Sequence, residues 1–172
     1  KRQENKRALV VGGSGYVGRE LVELLTNHGY MVMSLSRGGR YLPNATVIKG
    51  SALDIELMGK LVGDFDIVIY LAAVIRAFNK RLYEENVVGA DVLCESMILN
   101  TNTPELIYFS TQNTSLAKTG PYGNSKRRAE AIVRKRLPRA VILRPNYVYG
   151  LDCDNDFARL AKIIHRLSLI HI

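Results

Sequence analysis

Arg7-Ala8-Leu9-Val10-Val11-Gly12-Gly13-Ser14-Gly15-Tyr16-Val17-Gly18 is the stretch from which the rest of the chain is read. Residues 7–12 are apolar almost throughout and predict a buried strand. Residues 15–28 place Val17, Leu21, Val22 and Leu25 on one face of a helix. Between them Gly12, Gly15 and Gly18 form a G-x-x-G-x-x-G loop in the setting, strand before and helix after, that gives such a triplet meaning. Gly12 permits a tight turn, Gly15 clears a Cβ from the path of a diphosphate, and Gly18 lets the helix pack on the strand. The unpaired amides and positive end of the helix then face the phosphates. Gly12, Gly13, Ser14, Gly15, Tyr16, Val17 and Gly18 are therefore the candidate dinucleotide-binding residues.

Outward from this loop, short apolar runs alternate with longer helical patterns. Strands are predicted over 30–36, 45–49, 66–72, 105–111 and 140–144, and helices over 53–62, 82–99, 122–136 and 156–167. Such alternation makes βαβ units, and right-handed crossovers lead to an α/β fold with a doubly wound parallel sheet in three layers. Residues 1–150 complete the nucleotide-binding domain. Residues 151–172 read as the start of a truncated substrate-binding region.

Composition narrows the classes. Of 172 residues, 47% are hydrophobic and 23% charged, which excludes a disordered tail or a fibre. No apolar run approaches the ~20 residues that span a bilayer. The start is charged, is not Met and precedes no apolar leader, so the chain reads as trimmed and cytoplasmic. Cys94 and Cys153 have no paired spacing and read as reduced thiols; His28, His165 and His171 have no metal-ligand spacing. The net charge of +8 suits an anionic ligand. Its densest part, Lys126-Arg127-Arg128 with Arg134-Lys135-Arg136 and Arg139, reads as a solvated helix face. It lacks the interleaved aromatics and the fold signature of a nucleic-acid binder.

The second strand ends Ser34-Leu35-Ser36-Arg37, where an NAD site usually carries an acid for the ribose hydroxyl. A guanidinium there suits a 2′-phosphate. NADP is therefore the expected cofactor, with NAD as the alternative. Ser36 and Arg37 are the expected contacts and Arg40 a further candidate. Downstream, Tyr122 and Lys126 lie at i and i+4, one turn apart on a helix face. A nearby ammonium lowers a phenol pKa from its usual value of ~10, which makes the pair an acid–base device. Ser110 and Thr111 end the fifth strand, at the edge where a parallel sheet holds its ligand.

Together these residues resemble a short-chain dehydrogenase/reductase of the extended or atypical NAD(P)-dependent epimerase/dehydratase branch. The resemblance runs through the glycine loop, Leu71-Ala72-Ala73, Asn86-Val87-Val88-Gly89, Ser110-Thr111, Tyr122 to Lys126, and Arg144-Pro145-Asn146-Tyr147-Val148-Tyr149-Gly150. It implies a Rossmann fold, with Tyr122 as general acid/base and Thr111, beside Ser110, as the catalytic hydroxyl. Lys126 would bond the nicotinamide ribose, Ala72 and Ala73 would line the cofactor groove, and Pro145 and Asn146 would lie near the nicotinamide. It also implies a small-molecule substrate exchanging hydride with the nicotinamide, and a homodimer through the helices at 82–99 and 122–136. Gly50-Ser51 stands where the family often has Gly-Asp, Tyr70 where it often has His, and the interval from Thr111 to Tyr122 is short for a nucleotide-sugar epimerase. The alternative is a non-catalytic NADP-binding redox sensor or assembly subunit.

Overall fold

Leu9 and Val11 point into one hydrophobic layer and Val10 into another, so β1 (Arg7–Val11) is covered on both faces. That explains its unbroken apolar run. A computed structural model describes residues 6–150 and Ile163. The start of the chain, the helix expected over 156–167, the substrate region assigned to 151–172, Cys153, His165 and His171 lie outside the described residues.

β1 sits at the centre of a six-stranded sheet with order β3-β2-β1-β4-β5-β6, every pairing parallel. The other strands are β2 (Met31–Ser36), β3 (Thr46–Lys49), β4 (Ile67–Tyr70), β5 (Glu105–Phe109) and β6 (Val141–Leu143). Val11 is level with Leu35 on one side and Tyr70 on the other. The chain order reverses between β1 and β4, so the loops leaving their carboxyl ends diverge and open a crevice. This is the expected Rossmann architecture.

Helices α2 (Ile55–Val62), α3 (Glu84–Leu99) and α4 (Pro121–Arg136) cover the face of Leu9, Val68 and Tyr108. Helix α1 (Tyr16–Asn27) covers the other face through Val22, joined by Leu42 from the loop that links β2 to β3 without a helix. Ile142 packs into the three-helix face, so Val141 and Leu143 turn toward the α1 side, where they are exposed. Among the described residues no helix is long and apolar enough to cross a membrane.

Several element ends differ from the sequence reading by one or two residues, among them the start of α2 at Ile55 and the end of β4 at Tyr70, and two of the differences have a local polar reason in a 3-10 turn. The helix expected over 82–99 starts at Glu84, after a 3-10 turn over Lys80–Tyr83 that Asn79 caps by accepting from the Arg81 amide at 3.0 Å. The fifth strand, expected to reach Thr111, stops at Phe109. Thr111 caps a second 3-10 turn, Gln112–Ser115, by accepting from the Asn113 amide. A hydroxyl offered to its own backbone competes with the strand ladder.

The basic run on α4 is largely exposed, as expected, yet several of its cations have partners within the chain. Lys126 is buried; Arg127 donates to the Thr114 carbonyl at 2.9 Å and the Leu116 carbonyl at 2.5 Å; Arg128 pairs with Glu84 at 2.6 Å; Arg136 pairs with Asp91. Helical spacing aims these cations at α3 and at the loop before α4, which the sequence pattern does not reveal.

Candidate active site

Gly12 holds the turn at the mouth of the crevice with φ of +93°, a conformation that L side chains rarely adopt. A Cβ there would lie 2.8 Å from the Ala72 backbone nitrogen. At Gly18 a Cβ would lie 2.5 Å from the Gly12 carbonyl oxygen, so α1 packs on the loop only because that position is bare. Gly13 is buried beneath Ser34. Gly15 caps α1 without a side-chain bond, and no acid stands in the first turn, which begins at Tyr16 and Val17. The amides at this helix start thus keep their attraction for an anion.

The crevice has a volume of about 370 Å³ and runs from Gly12, Ser14 and Gly15 past Ser36 and Arg37 to Ala72 and Ala73. Arg40 is exposed and outside this lining. The Ser36 hydroxyl is buried with no hydrogen-bond partner. A dinucleotide fits these residues: the bare glycine turn leaves room for phosphates, and Ser36 beside it has a buried hydroxyl with no partner. Arg37 is exposed and makes one ion pair within the chain. Its Nη1 lies 3.2 Å from Oε2 of Glu85, a crevice residue the sequence reading passed over.

At the carboxyl end of β5, Thr111 stands beside the half-buried Tyr122 phenol. Burial raises the Tyr122 pKa, Thr111 lowers it and Tyr83 raises it, with a net rise above the usual phenol value. The lowering expected from Lys126 is not what this arrangement gives. The Lys126 ammonium turns to β5, donating to the Phe109 carbonyl at 2.6 Å and the Tyr108 hydroxyl at 3.3 Å, 4.6 Å from the centre of the Tyr108 ring. Burial pushes its pKa down to about 8 against the pull of Glu130. Tyr70 stacks on Tyr108 with centroids 5.6 Å apart, and its hydroxyl fills the space a Cβ of Gly89 would need.

Pro145 joins this edge through its carbonyl, which accepts from the Gln112 amide at 3.0 Å; Asn146 beside it is exposed. The end of that segment returns to the glycine loop, where a Cβ on Gly150 would meet the Tyr16 hydroxyl. Asn86, matched in sequence but given no role there, binds three segments together. Its Oδ1 accepts from the Val74 amide at 2.7 Å, while its Nδ2 donates to the Val74 carbonyl at 3.0 Å and to Ser125 Oγ at 2.9 Å. Ser125 Oγ donates in turn to the Tyr122 carbonyl at 2.7 Å. The resemblance of Asn86-Val87-Val88-Gly89 to the family pattern was the only available signal, and Glu85 had none.

Glu130 locks α4 to the end of β6. Arg144 donates to both of its oxygens, at 3.0 and 2.5 Å, and Arg134 adds a bond at 2.9 Å. Ser110 Oγ is buried without a fully formed hydrogen bond and faces the same carboxylate. Burial alone would raise this carboxyl, but the bonds from Arg144 and Arg134 and the nearby Ser110 hydroxyl outweigh it and hold the pKa at about 2, below the ordinary 4.5. A carboxyl depressed in the folded state binds fewer protons there than in the unfolded state, so its stabilisation is complete above about 4.5 and lost as pH falls toward about 2. Glu130→Gln is expected to cost about 2 kcal/mol at pH 7. It is also expected to flatten the acid limb of stability against pH in denaturant titrations. An unchanged acid limb would show that the carboxylate contributes nothing.

The comparisons follow this geometry. A family model described as the NAD dependent epimerase/dehydratase family matches residues 8–169. UDP-glucose 4-epimerase of Lactobacillus helveticus is 30% identical over 152 residues, 74% of this chain and 46% of that protein. The mitochondrial NADH dehydrogenase (ubiquinone) 1 alpha subcomplex subunit 9 of Dictyostelium discoideum is 24% identical over 170 residues, 91% of this chain and 46% of that protein. The crystal structure of the Bordetella bronchiseptica enzyme WbmG in complex with NAD matches with a TM-score of 0.81 at 20% identity, covering 97% of this chain and 61% of that one, a likeness of fold. The chain spans about half the length of the curated relatives it matches. Because the family model extends from β1 across the whole sheet and past β6, the chain belongs to the NAD dependent epimerase/dehydratase family.

Proposed function

We propose that this chain is the cofactor-binding part of an NAD(P)-dependent oxidoreductase or epimerase/dehydratase acting on a carbonyl or hydroxyl substrate. The observation that carries the reading is the meeting of Thr111 and Tyr122 at the carboxyl edge of β5, beside the glycine-lined crevice. When bound, the dinucleotide supplies or accepts the hydride. Tyr122 gives a proton to the substrate oxygen as a carbonyl becomes an alcohol, and takes it back in the reverse direction. Thr111 donates to the phenol oxygen and steadies the phenolate left behind. Lys126 acts through β5: its two bonds set the strand end that presents Thr111. With a pKa of about 8 it exchanges its own proton near neutral pH. The Asn86–Ser125 bond holds the start of α4 against the loop after β4, so Tyr122 and the crevice keep one spacing.

A second reading, a dinucleotide-binding assembly or sensor subunit, has two supports. One relative is a subunit of NADH dehydrogenase, and Lys126 is spent on β5 rather than on Tyr122. One experiment separates the readings: titrate the protein with NADH and NADPH by fluorescence, then follow deuterium transfer from the C4-deuterated cofactors to a panel of aldehydes, ketones and nucleotide sugars. The enzyme reading expects binding with transfer. Binding with no transfer to any acceptor would favour the subunit, and absence of binding would end both.

A further inference from the structure

In the dinucleotide site just proposed, the end of β2 offers Ser36 and Arg37 and no carboxylate. Yet an acid reaches the same place from another element. Glu85, in the first turn of α3, is the one carboxylate and Arg37 the one cation among the described residues lining the crevice. Their side chains meet at 3.2 Å, 48 residues apart in sequence. Glu85 cannot drift far. The next residue, Asn86, is buried and fixed by both bonds to Val74, and the positive start of α3 favours a carboxylate there. Ser36 lines the same crevice, and its hydroxyl is buried without a hydrogen-bond partner.

The two cofactors differ at one ribose position, a hydroxyl or a phosphate. A 2′-phosphate arriving at Arg37 would find the guanidinium engaged and a carboxylate beside it. It must displace Glu85 or share one cation with it, and like charges at such separation repel. A 2′-hydroxyl meets no such cost. It can donate to the Glu85 carboxylate and accept from Ser36.

We propose that Glu85 is the ribose-reading acid of this site, delivered from α3 instead of from β2, and that it turns Arg37 from a phosphate grip into half of a neutral pair that favours NAD over NADP. The proposal reverses the preference that Arg37 implies in the sequence, and it rests on the dinucleotide reading above.

The test is the ratio of NADPH to NADH dissociation constants, read by cofactor fluorescence in the wild-type protein, Glu85→Gln, Glu85→Ala and the double variant with Arg37→Ala. The wild-type protein is expected to bind NADH more tightly. Glu85→Gln and Glu85→Ala are expected to tighten NADPH by about tenfold or more, a change of ~1.4 kcal/mol, with a much smaller effect on NADH. Adding Arg37→Ala should remove that gain, and high salt should shrink it, since the gain is a contact between a freed guanidinium and a phosphate. If both Glu85 variants bind both cofactors with the wild-type ratio, the assignment of Glu85 is overturned while the dinucleotide site stands. If the folded wild-type protein binds neither cofactor, the dinucleotide reading itself is overturned.

Discussion

Tyr122→Phe is expected to lower hydride transfer by about 10²–10⁴-fold, the usual worth of a positioned proton donor, and to leave dinucleotide affinity unchanged. The substitution removes one hydroxyl and keeps the ring that packs at 6.2 Å from Tyr83, so α4 should hold its place. Because burial raises the phenol pKa above 10.0, Tyr122 is protonated at neutral pH, and the proposed role is that of an acid. The sign follows for the pH profile. Carbonyl reduction should be flat through neutrality and fall only at alkaline pH, where the phenol ionises, while the reverse oxidation should rise over the same range. Single-turnover transfer from deuterated cofactor measures both. Wild-type transfer in Tyr122→Phe would remove the phenol from the mechanism, and a reduction rate that falls between pH 6 and 8 would contradict a buried, protonated donor.

Gly12→Ala is expected to damage both stability and cofactor binding. A side chain at φ of +93° is strained, at a cost on the order of 1–3 kcal/mol. The added Cβ also has backbone, not a flexible side chain, 2.8 Å away at Ala72. To relieve either, β1 and β4 must part at the crevice mouth. The thermal midpoint should fall by about 5–10 °C for a domain of this size. Dinucleotide affinity should fall by about 100-fold, ~2.7 kcal/mol. Gly15→Ala is the informative contrast. Its Cβ would meet only the Gly12 carbonyl oxygen at 3.3 Å, and its φ of −71° is ordinary. That variant should keep its thermal midpoint and lose affinity alone, since the methyl would occupy the path of the diphosphate. Equal losses of stability in the two variants would mean that the glycines differ in no structural respect.

The parts legible in sequence are those whose cause is local. A strand covered on both faces must be apolar at consecutive positions, so β1 and β4 announce themselves. A helix that packs on one face shows its period, and a turn that needs bare backbone shows its glycines. The crevice residues Gly12, Ser14, Gly15, Ser36, Arg37, Ala72 and Ala73 were legible because chain order in a doubly wound sheet dictates which loops meet at the switch point. Element ends were less legible. Thr111 and Asn79 each chose a side-chain cap over one more residue of regular structure, a competition decided by small differences in hydrogen-bond energy.

Where a charged side chain sends its charge was not legible. Lys126 lies one helical turn from Tyr122, but its amine found the Phe109 carbonyl and the Tyr108 ring across the layer. Arg127, Arg128 and Arg136 look like a cationic surface and instead tie α4 to its neighbours. Glu85 lies between two ordinary residues of a helix start, and only the packing of α3 against the crevice brings it to Arg37. The sequence by itself determined the doubly wound parallel sheet and the glycine turn, because burial and backbone sterics act on each residue where it stands. The tertiary structure alone decided which charges neutralise one another and how tightly the phenol holds its proton, because those energies depend on distances between segments far apart in the chain.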